Sequence, residues 1–279
     1  MTQKQQTWKK NLYENVDYPD NYTDKTFLEE LKKNVHITEI SPRSAVLGAG
    51  LVTQEISIVI FFVIIYVYLY NGWIEPETVI VQSSLVATIG YLLYRIVLTK
   101  KNYYEALVKD LRTVLIFVVF GYILSPVLKT LTDTISTDTI YATASFMMII
   151  HLIFFDYGVP AAIVSSSLSL NAAIFGSVCL ASRLASPFHA FVLLTNAVEC
   201  FVLLPILLSK GRGSVIVLTA MIAIAVYVLW TVSLIMMVLC VCITLFVTVL
   251  CPVWFLRWQN CKENIYGPWD EAIVHDTEM

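Results

Sequence analysis

The stretch 151-HLIFFDYGVPAAIVSSSLSLNAAIFGSVCLASRL-184 joins two apolar runs through one acid-bearing turn, Asp156-Tyr157-Gly158-Val159-Pro160. Between residues 159 and 182 no side chain is charged, and about twenty such residues at ~1.5 Å rise cross a ~30 Å hydrocarbon core. This run reads as a membrane span. Within it Ser165, Ser169, Ala173, Ser177 and Ala181 recur at four-residue intervals, which lays small side chains along one helix face. In lipid, close backbone approach and hydroxyl hydrogen bonds replace the hydrophobic drive, so the stripe marks a surface for another helix, from this chain or from a different one. Asn171 is assigned to the same kind of contact, because its amide needs a partner inside the bilayer.

With 58% hydrophobic and 14% charged residues in 279, the chain departs from soluble composition toward a polytopic membrane protein. A net charge of -3 without a basic patch argues against nucleic acid as a partner. The same apolar pattern extends in both directions. The charge-free run 56–74 ends in Tyr66, Tyr68, Tyr70 and Trp73, an interfacial aromatic belt. Residues 44–53 either extend this span or lie along the interface, and Glu55 is expected near the membrane surface, since a carboxylate at the helix centre costs roughly 2.5–3.5 kcal/mol. Further spans are expected over 78–98, over 113–131 with a bend at Pro126, over 139–155 with Asp133 or Asp138 capping, and over 188–209. The apolar block 214–255 is too long for one span and divides near residues 231–233. The fold class is therefore all-α, a transmembrane bundle of eight spans over 44–255. It is preceded by an arm, 1–43, and followed by an interfacial tail, 256–279.

The arm holds a turn at Tyr18-Pro19-Asp20-Asn21 and then Thr26-x-x-Glu29, a capping-box spacing that opens a short amphipathic helix with Phe27, Leu28, Leu31 and Val35 on one face. Of the eighteen Lys and Arg, sixteen lie on one side when both termini are cytosolic, leaving only Lys129 and Arg183 outside. Cytoplasmic loops are enriched in basic residues, so both termini and the Asp156 turn are expected to face the cytosol.

Chemistry-bearing patterns are mostly missing. There is no glycine-rich phosphate loop, no Asp-x-Asp pair and no His-Glu-x-x-His. Glu263 and Glu271 have the Glu-x7-Glu spacing of some retaining glycosyltransferases, but Gly267-Pro268 interrupts any helix between them. Cys240-x-Cys242 lacks the further ligands of a zinc site, and cysteines placed mostly inside apolar runs imply no disulfide framework. No catalytic residue, cofactor or metal site is assigned. The candidates at membrane depth are Glu199 at mid-span, His151 one turn from the cytosolic surface and His189 near the outer end of its span. His151, Asp156 and Tyr157 are candidates for a lipid headgroup or partner contact, as are Trp269 and Asp270 in the aromatic, acidic tail. A stand-alone lipid-modifying enzyme needs converging intramembrane acids and bases, and a transporter of the inverted-repeat kind needs repeats; neither pattern is visible.

The blocks WKKNLYENVDYPDNYTDKTFLEELKKN, SPVLKTLTDTISTDTIYA, HLIFFDYG, AAIVSSSLSLNAAIF with SVCLASRL, and NIYGPWDEA together resemble the family of the C subunit of phosphatidylinositol N-acetylglucosaminyltransferase. The similarity runs from Trp8 to Ala272, and spans one, seven and eight match in hydrophobicity more than in residues. The resemblance implies a multi-pass component of an endoplasmic-reticulum complex that moves N-acetylglucosamine from UDP-GlcNAc to phosphatidylinositol on the cytosolic face, the first step of GPI-anchor synthesis. It further implies that catalysis belongs to the A subunit, that the H, P, Q and Y subunits are the other partners, and that no catalytic residue carries over to this chain.

Overall fold

The computed structural model describes residues 18–19, 22, 32–33, 40–98, 103–132, 134–158, 164–209, 214–259, 261 and 265–266. Among these, α1 is Pro42–Tyr70, α2 Pro76–Leu98, α3 Tyr103–Thr130, α4 Thr137–Phe154 and α5 Ser166–Ala181. Then come α6 Pro187–Ser209, α7 Val215–Val232 and α8 Leu234–Gln259. Seven of these helices are long and apolar enough to cross a membrane. The exception to the eight expected spans is α5, whose 16 residues rise only about 24 Å. Its lack of length is matched by burial, since Ser169, Ala172, Ala173, Gly176, Ser177, Cys179, Leu180 and Ala181 all face protein.

Two helices form the centre of the bundle. About 44% of the apolar window of α1 and 39% of that of α6 is buried, against 6% for α2 and for α3. Ile58 and Phe62 of α1 meet Val192 and Leu193 of α6 in the core, all without solvent exposure, and the Phe62 and Phe201 rings lie 5.1 Å apart. The α4–α5 hairpin packs against both, α2 and α3 lie on α6, and α7 with α8 lies on α1.

Both long interrupted helices carry a π-helical turn, Glu199–Leu203 in α6 and Phe246–Leu250 in α8. Each turn ends two residues before a proline, Pro205 or Pro252. A proline ring removes one ladder donor and crowds the carbonyl four residues back, and widening the preceding turn relieves both.

Several local expectations change. Of the two readings of residues 44–53, the helix follows the extension, starting at Pro42, so Glu55 lies well inside α1 and is 3% exposed. The cap of α4 is Ser136, whose hydroxyl accepts from the Thr139 amide; Asp138 sits in the first turn, and Asp133 lies outside the described residues. α8 continues through Pro252 to Gln259, past the expected end of the bundle at 255. Asn171, expected to meet a helix of this chain or of another, is exposed on this chain's own surface. At 100° per residue it sits 200° around α5 from Ser169, so the phase that buries the stripe turns Asn171 away.

Residues 1–41 with 254–279 make a second unit. In it Lys32–Lys33 (β1) pairs antiparallel with Ile265–Tyr266 (β2), Lys32 opposite Tyr266 and Lys33 opposite Ile265. The arm and tail, which are distant in sequence, thus share a ladder. The Pro19 turn closes through Tyr22 N–H to the Pro19 carbonyl at 2.8 Å. The expected amphipathic helix does not run through Lys32–Lys33, where the backbone is extended; the residues before it, and Trp269 and Asp270, lie outside the described residues.

Candidate functional site

Polar groups from three helices converge just beneath the α4–α5 hairpin. Glu55 comes from α1, His151 from the last turn of α4 and Ser169 from the first turn of α5, and all are 3% exposed or less. His151 Nε2 lies 3.0 Å from Glu55 Oε1, and Nδ1 lies 2.8 Å from Ser169 Oγ and 3.1 Å from the Ser169 carbonyl. Ser169 Oγ donates to the His151 carbonyl at 3.0 Å. Both imidazole nitrogens are therefore engaged, Nδ1 with Ser169 and Nε2 with the Glu55 carboxyl. The rings of Phe201 and Phe155 meet the imidazole edge-on at 5.0 and 5.6 Å and close it off from solvent.

These residue types are those of a nucleophile–base–acid relay, but the geometry is that of a tie. A relay needs the histidine to accept the serine proton and an open face for substrate. Here the serine is 2% exposed, and its hydroxyl is also within hydrogen-bond distance of a backbone carbonyl, that of His151. The adjoining pocket, lined by Gln54, Glu55, Asp156, Tyr157 and Ser209 among others, measures about 30 Å³, room for a water and not for a sugar or a phospholipid headgroup. Three helices are thus pinned together where each partner satisfies the others' buried polarity.

The hairpin above is ordered by its own side chains. Asp156 does not reach His151; its Oδ1 accepts from the Gly158 amide at 2.7 Å, and Gly158 takes φ 83° to close the turn. Tyr157 donates its hydroxyl to the Leu152 carbonyl at 2.7 Å. Burial, and to a lesser degree the Glu55 carboxyl, push that hydroxyl above the ordinary phenol range, so it remains a donor. The small-residue stripe below seats on α4: Ser169, Ala173 and Ser177 are at most 2% exposed. Ser177 Oγ returns to the Ala173 carbonyl at 2.7 Å, and Ser165 caps α5 by accepting from the Leu168 amide.

Glu199 and His189 stand apart from this cluster. Glu199 opens the π-turn of α6, half-buried, with Ser83 of α2 beside it. His189 lies in the first turn of α6, its Nδ1 2.7 Å from the hydroxyl of the capping Ser186. Two arrangements escape a reading of the sequence. Glu55, expected at the membrane surface, completes the tie. Arg95 of α2 pairs with Asp110 of α3, and Tyr91 bridges them at 2.9 Å to each; a basic residue in the last turn of one helix and an acid in the first turns of the next is the available signal. Among the described residues no group of His, Cys, Asp and Glu is placed to hold a metal ion.

Comparison with known proteins gives this architecture a family. A family model described as phosphatidylinositol N-acetylglucosaminyltransferase, GPI2, matches residues 8–270. The human C subunit of phosphatidylinositol N-acetylglucosaminyltransferase is 43% identical over 98% of this chain and 95% of its own. A putative C subunit of the same enzyme from Dictyostelium discoideum is 36% identical over 96% and 79%, and the GPI2 subunit of Schizosaccharomyces pombe 30% identical over 95% and 86%. No solved structure matches. An apolar bundle of this length, matched across nearly its whole extent, belongs to the C-subunit (GPI2) family of phosphatidylinositol N-acetylglucosaminyltransferase.

Proposed function

We propose that the chain is a non-catalytic membrane component of the complex that transfers N-acetylglucosamine from UDP-GlcNAc to phosphatidylinositol at the start of GPI-anchor synthesis. In this reading it sits in the endoplasmic reticulum membrane with both termini cytosolic, beside a catalytic A subunit and the H, P, Q and Y subunits. Its work is to hold that assembly on the bilayer and against membrane phospholipid, phosphatidylinositol included.

The observation that carries the non-catalytic role is the closed Glu55–His151–Ser169 tie, where a carboxyl, an imidazole and a serine hydroxyl meet with space beside them for water alone. Glu199, midway along α6, has Ser83 of α2 beside it rather than a base. Sugar-nucleotide transfer of the doubly wound type also needs an α/β domain of roughly 100 residues or more, and the bundle of residues 42–253 is helical throughout its described elements.

Turnover of UDP-GlcNAc with phosphatidylinositol by the purified chain, verified free of the catalytic partner, is the test. The expected result is no transfer by the chain alone and transfer by the reconstituted complex. Robust transfer by the chain alone would end the scaffold reading and make Glu199 the first residue to substitute.

A further inference from the structure

On the lipid side of the bundle, α1 and α4 diverge to leave a furrow of about 560 Å³. Val59, Val63 and Val67 form one wall, and Ala144, Met148 and Leu152 the other. At its upper end stand Tyr66, Tyr70, Asn71 and Tyr141, and no charged side chain is among its lining residues. We propose that this furrow binds one acyl chain of an ester-linked glycerophospholipid from the leaflet in which Tyr70 and Asn71 lie.

Length selects the occupant. From Val59 to Tyr70 along α1, and from Tyr141 to Leu152 along α4, the rise is about 16 Å at ~1.5 Å per residue, which matches one leaflet of a ~30 Å core. Beyond Val59 the furrow stops, because the Glu55–His151 contact draws α1 onto α4. A transmembrane helix of a partner needs a seam across the full core, whereas a chain hanging from the interface needs half of it. The walls are aliphatic, and Ala144 and Ser145 keep the floor open.

The upper end supplies a donor at the right depth. Tyr66 donates to Tyr141 at 3.1 Å, and the exposed Tyr70 lines the same end. The Tyr66 hydrogen is spent on that internal bond, so the Tyr141 and Tyr70 hydroxyls are left to donate outward. The ester carbonyls of a glycerolipid are acceptors without donors and lie at this interfacial level, beside the Tyr68–Trp73 pair whose rings are 5.6 Å apart. The absence of a cation among the lining residues means that the site takes the chain and esters and is indifferent to headgroup charge.

The experiment is photolabelling of the full-length chain in phosphatidylcholine vesicles containing a trace of phosphatidylcholine with a mid-chain diazirine, followed by mapping of the modified residues. Adducts are expected to concentrate on Val63, Ser145 and Ile149, above those on Leu239 and Ile243 of the α8 outer face. Ser145→Trp, which plugs the mouth from α4, is expected to remove most of the furrow adducts and leave those on α8 unchanged; Val63→Trp plugs it from α1 if the first variant fails to fold. Equal labelling of furrow and α8 face, or labelling insensitive to both plugs, would refute the site. So would photo-cross-links from a diazirine-bearing amino acid placed at position 63 or 149 to a different polypeptide in the intact complex, which would make the furrow a helix seam.

Discussion

His151 has both ring nitrogens engaged inside the bundle, and that fixes what its neighbours can be. Removing Glu55 alone leaves Nε2 buried without a partner, at a cost of about 1–3 kcal/mol for an orphaned polar group. Glu55→Leu is therefore expected to lower the unfolding midpoint in detergent, while Glu55→Leu with His151→Phe loses less than the two single changes summed, because no half-satisfied group remains. Additive losses in that cycle would mean that the 3.0 Å contact is not coupled in the membrane. Asn171 teaches the same lesson from outside. Its amide suggests a partner, but on a helix whose buried face is set by Ser169, Ala173 and Ser177 a residue two positions on from Ser169 points the other way. Asn196, which no motif singles out, is the buried amide, and it satisfies itself by donating to the Val192 carbonyl at 2.9 Å.

At the scale of the element, α5 is short, its 16 residues rising about 24 Å, and it is clasped by protein along most of its length. The clasp is tight at Gly176, where an added Cβ would stand 3.1 Å from Met148 Cε and 3.3 Å from Met147 Cβ of α4. Gly176→Leu is expected to destabilise the bundle by about 1–3 kcal/mol, the usual cost of overpacking, and to reduce recovery from membranes. Gly48→Leu in α1, where nothing lies within 4 Å, is the matched change expected to leave both unaltered. Equal behaviour of the two variants would show that α4 and α5 separate readily. The four-residue stripe announces a close contact; that its partner is α4 of this chain follows only from the hairpin folding back, Ser165 N–H on the Phe154 carbonyl at 3.1 Å. The π-turns have a local cue in Pro205 and Pro252, but a proline alone specifies a disturbance and not its form.

For the whole molecule, the two cations assigned to the outer side are both spent on loops: Lys129 donates to the Ala185 carbonyl at 2.8 Å and Arg183 to that of Thr132. That leaves the remaining basic residues to set orientation. In cells permeabilised only at the plasma membrane, an impermeant maleimide is expected to reach the exposed Cys261. A cysteine introduced by Thr134→Cys is expected to react only after the endoplasmic reticulum is opened. The inverse pattern would reverse the topology and the proposed siting of the complex. What the sequence determined by itself is the all-helical membrane architecture and the family, since hydropathy, period and motif are local properties that survive without knowledge of neighbours. What only the tertiary structure decided is the pairing of Glu55 with His151, the outward turn of Asn171, the ladder joining arm to tail and the furrow between α1 and α4. Each depends on the rotational phase and depth at which one helix meets another, and those are set by the packing of all the helices together.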